Sequence, residues 1–209
     1  MDSSTARAGV AGVLLAAGMS TRMGQNKLFL AIDGTSVVRR AASAALAAGL
    51  DPLLVVVGHE AERVRAALAD TAAHIVPNPD YAAGQYTSLR AGIAAVPVWA
   101  PAAVVLLADM PLVDAEMIRA AVEKWRESGR TLVLSRYGDV IAPPIVYGAE
   151  LFPELGDALD RGGGKSVIQR HRDQAAAVDW PAERLTDLDV PEDLARLGAA
   201  EAELQRGRA

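Results

Sequence analysis

A loop rich in small residues and followed by basic side chains is the part of the chain best suited to chemistry. It lies within LLAAGMSTRMGQNK, from Leu14 to Lys27. Small residues let the backbone approach a ligand closely, and a turn of this kind aims several backbone N–H groups at one point. Arg22 and Lys27 add two cations. The combination indicates a site for a polyanion, for which a nucleoside triphosphate is the simplest candidate.

Lys27 is unusual because the chain otherwise relies on arginine. Only three of its 21 basic residues are lysines, at positions 27, 124 and 165. The compact point charge of lysine suits the bridging or moving of phosphates. The alternative interpretation is a solvated loop lysine, and the glycine-rich surroundings favour phosphate binding instead.

Two better-known phosphate motifs do not fit the chain. The dinucleotide fingerprint G-x-G-x-x-G is missing after the first predicted strand, which disfavours a Rossmann dehydrogenase. The string GGGKS at Gly162–Ser166 resembles the end of a P-loop, but Leu159 stands where that motif needs its first glycine. No apolar strand precedes it either, so a P-loop kinase or ATPase is also disfavoured.

Aspartates at later positions are candidate metal ligands. Asp109 follows the apolar run in VVLLADMPLV, and a carboxylate at the end of a buried strand is costly unless a cation lies close. Asp187 and Asp189 alternate in DLDVPEDL, ahead of a helix with Pro191 in its first turn. Carboxylates and phosphate oxygens are the ligands that Mg²⁺ uses at triphosphate sites. Asp189 is the stronger candidate of the two, with a helix cap as its alternative role.

Short apolar runs alternate with Ala-rich helical patterns, which is typical of βαβ units in an α/β fold with a parallel sheet. The predicted strands are Val10–Ala16, Leu53–Val57, His74–Val76, Ala103–Ala108 and Thr131–Leu134. The predicted helices are at about Ser36–Ala48, Glu60–Ala69, Thr87–Ala95 and Asp114–Glu127. Ser36 and Asp114 are the expected helix caps. Ligands bind beyond the carboxyl ends of parallel strands, where the first loop and Asp109 both lie.

The pattern changes after about residue 135. Gly138 and Pro143-Pro144 interrupt the segment 137–147. Because proline cannot donate to a sheet ladder, we expect an edge strand or a hairpin there and no central strand. A short helix near Ala149–Leu155 follows.

Composition limits the domain organisation and the function classes. Hydrophobic residues make up 51% of the chain and charged residues 22%, so the chain can bury a core. We expect one domain over residues 1–209, with a nucleotide-binding half at about 1–110 and an acceptor-side half at about 111–209. The lack of cysteine excludes disulfides and Cys-ligated metals, and the net charge of −5 argues against a nucleic-acid partner.

The apolar start of the chain is interpreted as a buried strand and not as a signal peptide. The run Val10–Ala17 leads directly into Arg22 and Lys27 and not into a neutral mature start. No window reaches the ~18 apolar residues that span a bilayer. We therefore expect a cytoplasmic protein without a membrane partner.

The loop at positions 15–27, the strand end LLADMP and the late DLDVPEDL, in this order, resemble the nucleotidyltransferases that elaborate the molybdenum cofactor, the MobA-like family. Every fixed position of that family's L-A-[AG]-G-x-S-x-R-M-G-x-x-K pattern is present. Ala17 before Gly18, in place of a second glycine, resembles the cytidylyltransferases of the family and not the guanylyltransferases. The segment NPDYAAGQYTSLRAGI, from Asn78, is also similar to the cytidylyltransferases.

The resemblance implies a three-layer, GT-A-like α/β fold with a mostly parallel sheet. It implies Mg²⁺-dependent transfer of CMP from CTP to molybdopterin, with release of pyrophosphate, and a client molybdoenzyme or its chaperone as a partner. The family's catalytic positions fall on Arg22, Lys27 and Asp109, and its metal ligands on Asp109 and Asp189. Its nucleotide-binding positions fall on Leu15, Ala16, Ala17, Gly18, Met19, Ser20, Lys27, Gly84 and Ser88.

The resemblance also assigns a task to each group of residues. The loop from Leu15 to Ser20 holds the base and ribose through its backbone, and Arg22 and Lys27 hold the phosphates. Gly84 and Ser88 lie against the cytosine.

One segment departs from the family's pattern, and other activities stay open. Where the family usually has an Asp in G-D-x-G, the chain reads DRGGGKS. Arg161 and Lys165 are candidates to replace that Asp or to contact a phosphorylated acceptor. The alternatives are a guanylyl or sugar-phosphate nucleotidyltransferase, an NAD(P)H-dependent oxidoreductase that reduces a nicotine-derived pigment, and a non-catalytic cofactor chaperone.

Overall fold

Apolar and β-branched runs form the strands of a central sheet. The computed structural model describes residues 9–18, 26–157 and 162–185. Its strands are β1 (Ala11–Ala16), β2 (Ala31–Ile32), β3 (Thr35–Ser36), β4 (Leu53–Val57), β5 (Ala73–Pro77), β6 (Ala102–Leu107), β7 (Leu132–Tyr137), β8 (Val140–Gly148) and β9 (Ala176–Trp180). In the part of the chain that is described, seven of them form one sheet in the order β5-β4-β1-β6-β8-β7-β9.

β1 is the centre of the parallel part of this sheet. It pairs with β4 on one side and with β6 on the other, so that Leu14 lies level with Val55 and with Leu106. The carboxyl ends of β1 and β6 are therefore neighbours, and the loop after β1 and Asp109 lie at the same edge of the sheet.

Helices cover both faces of the sheet. They are α1 (Val37–Ala47), α2 (Ala61–Ala67), α3 (Gln85–Ala94), α4 (Ala115–Ser128), α5 (Phe152–Asp157) and α6 (Gly163–His171). Buried side chains of α1, α2 and α4 pack with Leu14 on one face. Those of α3, α5 and α6 pack with Val13 on the other face, so the fold has three layers. No helix among the described residues has the length and apolar character needed to cross a membrane.

The helices and strands predicted in the first 135 residues are all present, with ends shifted by at most three residues. Asp114 caps α4 as expected, because its carboxylate accepts a hydrogen bond from Met117 N at 3.0 Å. Ser36 occupies the cap position of α1, but its hydroxyl makes no capping bond. The prediction of a capping hydroxyl at this helix was therefore wrong.

The expectation that Pro143-Pro144 excludes a central strand is also wrong. These prolines belong to β8, which lies between β6 and β7 and pairs antiparallel with both. Among the described pairs neither ladder includes them: pairing with β6 begins at Ile145, and the register with β7 shifts just before Ser135. Their carbonyl oxygens accept hydrogen bonds from Tyr137 Oη and Ser135 Oγ, at 2.7 Å each. The irregularity therefore removes the need for N–H groups that proline lacks.

The hairpin, which was expected in this segment as the alternative to an edge strand, is confirmed. β7 and β8 are joined by a turn at Gly138, which has a φ of +60°. Because β7 runs parallel to β6, this turn lies at the same edge of the sheet as Asp109. The parallel strand β9, which pairs with β7 at the other margin of the sheet, was not predicted.

The glycine run at 162–164 begins helix α6. A Cβ at Gly164 would lie 3.0 Å from Leu89 Cδ2, so glycine lets α6 approach α3 closely. At the opposite edge of the sheet, before β6, the loop of Val98 and Trp99 is strongly exposed. Gly9, just before β1, lies beside Trp99, which places this loop at the amino ends of the strands.

Candidate active site

A cavity of about 270 Å³ lies at the carboxyl ends of β1 and β6, beside the turn and the helix that follow β5. Every predicted catalytic, metal-binding or nucleotide-binding residue within the described ranges lines it, whereas Lys165, the acceptor-side candidate, does not: the predicted residues that line it are Leu15, Ala16, Ala17, Gly18, Lys27, Gly84, Ser88 and Asp109. Its other lining residues are Leu28, Tyr81, Ala82, Gln85 and Leu107. The fold thus brings together segments that are far apart in the sequence.

Four other predicted site residues lie outside the described residues. They are Met19, Ser20, Arg22 and Asp189. Arg161, one of the candidates for the acceptor side, lies outside them as well. Their roles stay predictions.

Lys27 and Asp109 form an ion pair in the cavity. Lys27 Nζ lies 2.6 Å from Asp109 Oδ2, and the two side chains are 13% and 25% exposed. Water screens a sheltered pair less than one on the open surface, so the attraction is stronger here. The cavity therefore holds a cation and a carboxylate that reach the same point, as binding of a phosphate and its metal ion requires.

A short turn positions Lys27. Residues Lys27–Phe29 form a single 3₁₀ turn, and Asn26 caps it by accepting a hydrogen bond from Leu28 N at 3.1 Å. Glu60 lies between β4 and α2, and the side chains of Arg63 first and Asn26 second hold the pKa of its carboxyl below the ordinary value. The Arg63 guanidinium also lies 3.9 Å above the Phe29 ring, a cation–π contact.

The loop after β6 is held from two directions, which fixes Asp109. Ala108 N donates to Leu15 O at 3.1 Å, so the backbone just before Asp109 is tied to β1. Arg40 on α1 donates from Nε to Pro111 O at 3.1 Å, just after it. These contacts aim the carboxylate into the cavity.

A buried polar network shapes the wall that contains Gly84 and Ser88. Asn78 is 4% exposed, and its amide nitrogen donates to Thr87 Oγ1 at 2.9 Å and to Ser88 Oγ at 3.0 Å. Its side-chain oxygen accepts from Asp80 N at 3.0 Å. Ser88 lines the cavity and its Oγ accepts from Asn78, so the hydroxyl keeps its own hydrogen for donation.

Sequence comparison identifies the family. The MobA-like NTP transferase domain matches residues 12–175, which include β1, Lys27 and Asp109. The chain belongs to the MobA-like NTP transferase family. It is a nucleotidyltransferase of the MobA-like kind, as the resemblance of its motifs implied.

Two curated proteins illustrate the range of this family. Purine catabolism protein PucB of Bacillus subtilis is 30% identical over 194 residues, which are 87% of this chain and 92% of that protein. Nicotine blue oxidoreductase of Paenarthrobacter nicotinovorans is 28% identical over 198 residues, which are 90% of this chain and 96% of that protein. These names describe different processes, so membership of the MobA-like family does not by itself identify an acceptor.

Solved structures agree with the fold. The crystal structure of Rv0371c from Mycobacterium tuberculosis is 30% identical and has a TM-score of 0.79, over 91% of this chain and 97% of that one. The same protein has been crystallised in complex with manganese. Solved nucleotidyltransferases of the GT-A-like kind share the architecture, which confirms the predicted three-layer α/β fold with a mostly parallel sheet.

MobA-like nucleotidyltransferases generally use a divalent metal, and Asp109 is suited to hold one. Among residues 9–18, 26–157 and 162–185 no group of three or more His, Asp or Glu side chains forms a metal site. Mg²⁺ at nucleotide sites usually takes one or two carboxylates and completes its shell with phosphates and water. A single carboxylate beside a lysine fits that mode of binding.

Of the cavity residues that follow β5, Gly84 and Ser88 were predicted from the sequence, whereas Tyr81 and Gln85 were not. Tyr81 and Gln85 line the cavity, and Asn78 supports it from behind. The available signal was topological, since any loop after a parallel strand lies at the edge where ligands bind. Asn78 directly follows β5, and this rule pointed to its neighbourhood.

Proposed function

We propose that this MobA-like nucleotidyltransferase transfers CMP from CTP to a molybdopterin-type acceptor, in a Mg²⁺-dependent reaction that releases pyrophosphate. The observation that supports it most is the Lys27–Asp109 ion pair in a cavity bounded by the small residues Ala16–Gly18. A triphosphate needs cations, close backbone approach and a metal-binding carboxylate, and the candidates in this cavity are Lys27, the small residues and Asp109.

The reaction forms one phosphorus–oxygen bond and breaks another. A terminal phosphate oxygen of the acceptor attacks the α-phosphorus of CTP, and the bond from that phosphorus to the oxygen bridging to the β-phosphorus breaks. Pyrophosphate leaves with the electron pair of that bond. Such a step needs alignment and charge neutralisation and little covalent help from the protein.

The proposal gives each charged residue a role. Lys27, with Arg22 as its predicted companion, holds the phosphates and offsets the charge that develops on the leaving group. Asp109, with Asp189 as its predicted companion, holds Mg²⁺. Bound Mg²⁺ supplies further charge neutralisation at the leaving phosphates.

The nucleoside is assigned to the small-residue loop and to the wall behind it. The backbone of Leu15–Ser20 holds the base and ribose, and Gly84 and Ser88 contact the cytosine. The preference for CTP rests on Ala17, which resembles the cytidylyltransferases, and on Ser88, a cavity residue whose hydroxyl accepts a hydrogen bond from Asn78.

The acceptor is assigned to the second part of the chain. On this proposal residues at about 1–110 bind the nucleotide and residues at about 111–209 face the acceptor, within one domain over 1–209. Lys165, in the first turn of α6, is the described candidate for contact with a phosphorylated acceptor. A client molybdoenzyme or its chaperone is the proposed protein partner.

A ligand panel is the first test. The thermal midpoint is measured with CTP, GTP, ATP, UTP and NADPH, each with and without Mg²⁺. A ligand at about 100 times its Kd stabilises the native state by about 2.7 kcal/mol, which is several degrees for a domain of this size. A shift confined to CTP with Mg²⁺ supports the proposal, a GTP preference reassigns the nucleotide, and a response to NADPH alone contradicts it.

A pyrophosphate-release assay with molybdopterin then tests the chemistry. Lys27→Ala and Asp109→Ala are expected to lower kcat by at least about a hundredfold, since each removes a charge that stabilises the transition state. Asp173→Asn is the matched control, because the Asp173 side chain is 97% exposed and lies beyond the end of α6, remote from the cavity. Normal turnover of either alanine variant would overturn the role given to that residue.

A further inference from the structure

The cavity has two chemically different ends, on opposite sides of β1. The Lys27–Asp109 ion pair lies on the β6 side. On the β4 side, Tyr81, in the turn after β5, lines the cavity next to Gly58, the residue that directly follows β4. One end therefore offers charge and the other offers an aromatic ring.

Gly58 provides the space in which Tyr81 sits. A Cβ at Gly58 would lie 2.5 Å from Tyr81 Cβ, 2.5 Å from its Cγ and 2.8 Å from its Cδ1. Gly58 is not among the glycines with a positive φ, so its backbone conformation is open to any residue. The close approach of Tyr81 is therefore the reason that a side chain does not fit at position 58.

The turn that contains Tyr81 is hydrogen-bonded to the cavity wall that contains Gly84 and Ser88. Gly84 N donates to Tyr81 O at 3.3 Å, and Thr87 Oγ1 donates to Gly84 O at 2.8 Å. Asn78 bonds both Thr87 and Ser88, so hydrogen bonds connect the Tyr81 backbone with the wall that contains Gly84 and Ser88. Tyr81 stays half-buried at the cavity surface, whereas the core tyrosines Tyr137 and Tyr147 are buried completely.

We propose that Tyr81 packs against the nucleoside part of the bound nucleotide, and that Gly58 is the residue that positions it. This inference rests on the proposed function. A neutral aromatic ring does nothing to neutralise a triphosphate, but it gains dispersion and stacking energy against a base or a ribose. With Lys27 at the β6 end, the nucleotide lies across β1 with its base toward Tyr81.

The experiment separates the two ends of the ligand. Binding of CTP, CMP and inorganic tripolyphosphate, each with Mg²⁺, is measured calorimetrically for the wild type, Tyr81→Leu, Tyr81→Phe and Lys27→Gln. Tyr81→Leu is expected to weaken CTP and CMP by about tenfold, because base–aromatic contacts are of that size. It should leave tripolyphosphate unchanged, and Tyr81→Phe should behave as the wild type.

Lys27→Gln tests the phosphate end, and two further variants, Trp99→Leu and Gly58→Ala, complete the set. Lys27→Gln is expected to weaken tripolyphosphate strongly and CMP least, the reverse of the Tyr81→Leu pattern. Trp99→Leu is the matched control, since it removes an exposed aromatic ring at the opposite edge of the sheet. Gly58→Ala should reproduce the Tyr81→Leu pattern without any change to the ring itself, because the new Cβ displaces Tyr81.

The outcomes distinguish this inference from the function on which it rests. If the wild type binds another nucleotide better than CTP, the same comparison is made with that nucleotide and its monophosphate. Wild-type protein that binds no nucleotide would overturn both. Wild-type binding with Tyr81→Leu unchanged, or with tripolyphosphate weakened as much as CTP, would overturn the role of Tyr81 alone.

Discussion

Lys27 Nζ lies 2.6 Å from Asp109 Oδ2. The ammonium group of Lys27 is thus paired with the carboxylate oxygen that a divalent metal would need as a ligand. The ammonium group and the metal compete for one site. The phosphates of an incoming nucleotide relieve this competition, because they offer Lys27 another anion and bring further ligands for the metal. Metal and nucleotide are thus expected to bind together far better than either does alone.

Removing the lysine charge should strengthen the binding of metal alone. In Lys27→Gln, Asp109 is no longer paired, and we expect Mn²⁺ to bind about fivefold more tightly without nucleotide, the equivalent of an ion pair of ~1 kcal/mol. The free Mn²⁺ signal in electron paramagnetic resonance measures this directly. Lys124→Gln, on the exposed side of α4, is the matched control. Equal affinity in Lys27→Gln and wild type would contradict the competition.

Asn78→Ala should destabilise the whole fold as well as the cavity wall that contains Gly84 and Ser88. The change removes three hydrogen bonds and leaves buried partners unsatisfied, at an expected cost of about 2–3 kcal/mol in the free energy of unfolding. Urea titration measures this cost. Ser88→Ala should cost less, and in the double variant the two costs should not add, because the side chains are in contact. Strict additivity would argue against the network.

Stability in acid should depend on the pair that ties β7 to β9. Arg136 donates from Nε and Nη2 to the two carboxylate oxygens of Asp179, at 2.7 and 2.9 Å, and holds the pKa of that carboxyl below its ordinary value. Folded protein thus binds fewer protons at this carboxyl than unfolded protein does. The contribution is present above the ordinary aspartate pKa of about 3.9 and is lost as the pH falls through the lowered value.

The measurement is urea unfolding of Asp179→Asn and wild type at several pH values between 7 and 3. The difference between the two proteins should shrink toward acid. High salt should reduce it at neutral pH, since Arg136 and Asp179 are largely exposed. A difference that does not change with pH would show that the pair does not contribute through its charge.

Two glycines inside helices should respond in opposite directions to alanine. A Cβ at Gly92 in α3 would overlap Val13 Cγ1 and Val56 Cγ2, so Gly92→Ala should destabilise the fold by about 1–3 kcal/mol through overpacking. Gly156 in α5 has nothing within 4 Å of its would-be Cβ, and Gly156→Ala should stabilise by up to about 1 kcal/mol through helix propensity. Thermal or urea unfolding distinguishes the two. Equal effects would mean that α3 does not pack as closely as described.

Local sequence patterns predict the parallel half of this fold well. Runs such as LLVVV at β4 and AAVVLL at β6 are apolar throughout because both faces of a parallel strand are buried. The same logic places Asp109 at a strand end facing a ligand. Nothing local predicts that its partner is Lys27, because that contact depends on β1 and β6 being neighbours.

The second half of the chain shows where such patterns fail. The residues of β9, AAVDW, include Ala and Asp, which have low strand propensity, and its pairing with β7 is a tertiary effect. Pro143-Pro144 would be excluded from a strand whose every residue pairs, because proline has no N–H to donate. The register of β8 against β7 shifts at this point, so no N–H is needed there. Tyr81 was missed because its surroundings are created by Gly58, a distant residue in sequence.

The exposed loop that contains Val98 is a suitable site for labelling or immobilising this protein. Val98 is fully exposed at the amino ends of the strands, away from the cavity, and the chain contains no cysteine. A Val98→Cys substitution would therefore create a single thiol for a dye or a surface linker. Immobilised or labelled in this way, the molecule would present its cavity to solution, ready for single-molecule observation of nucleotide exchange.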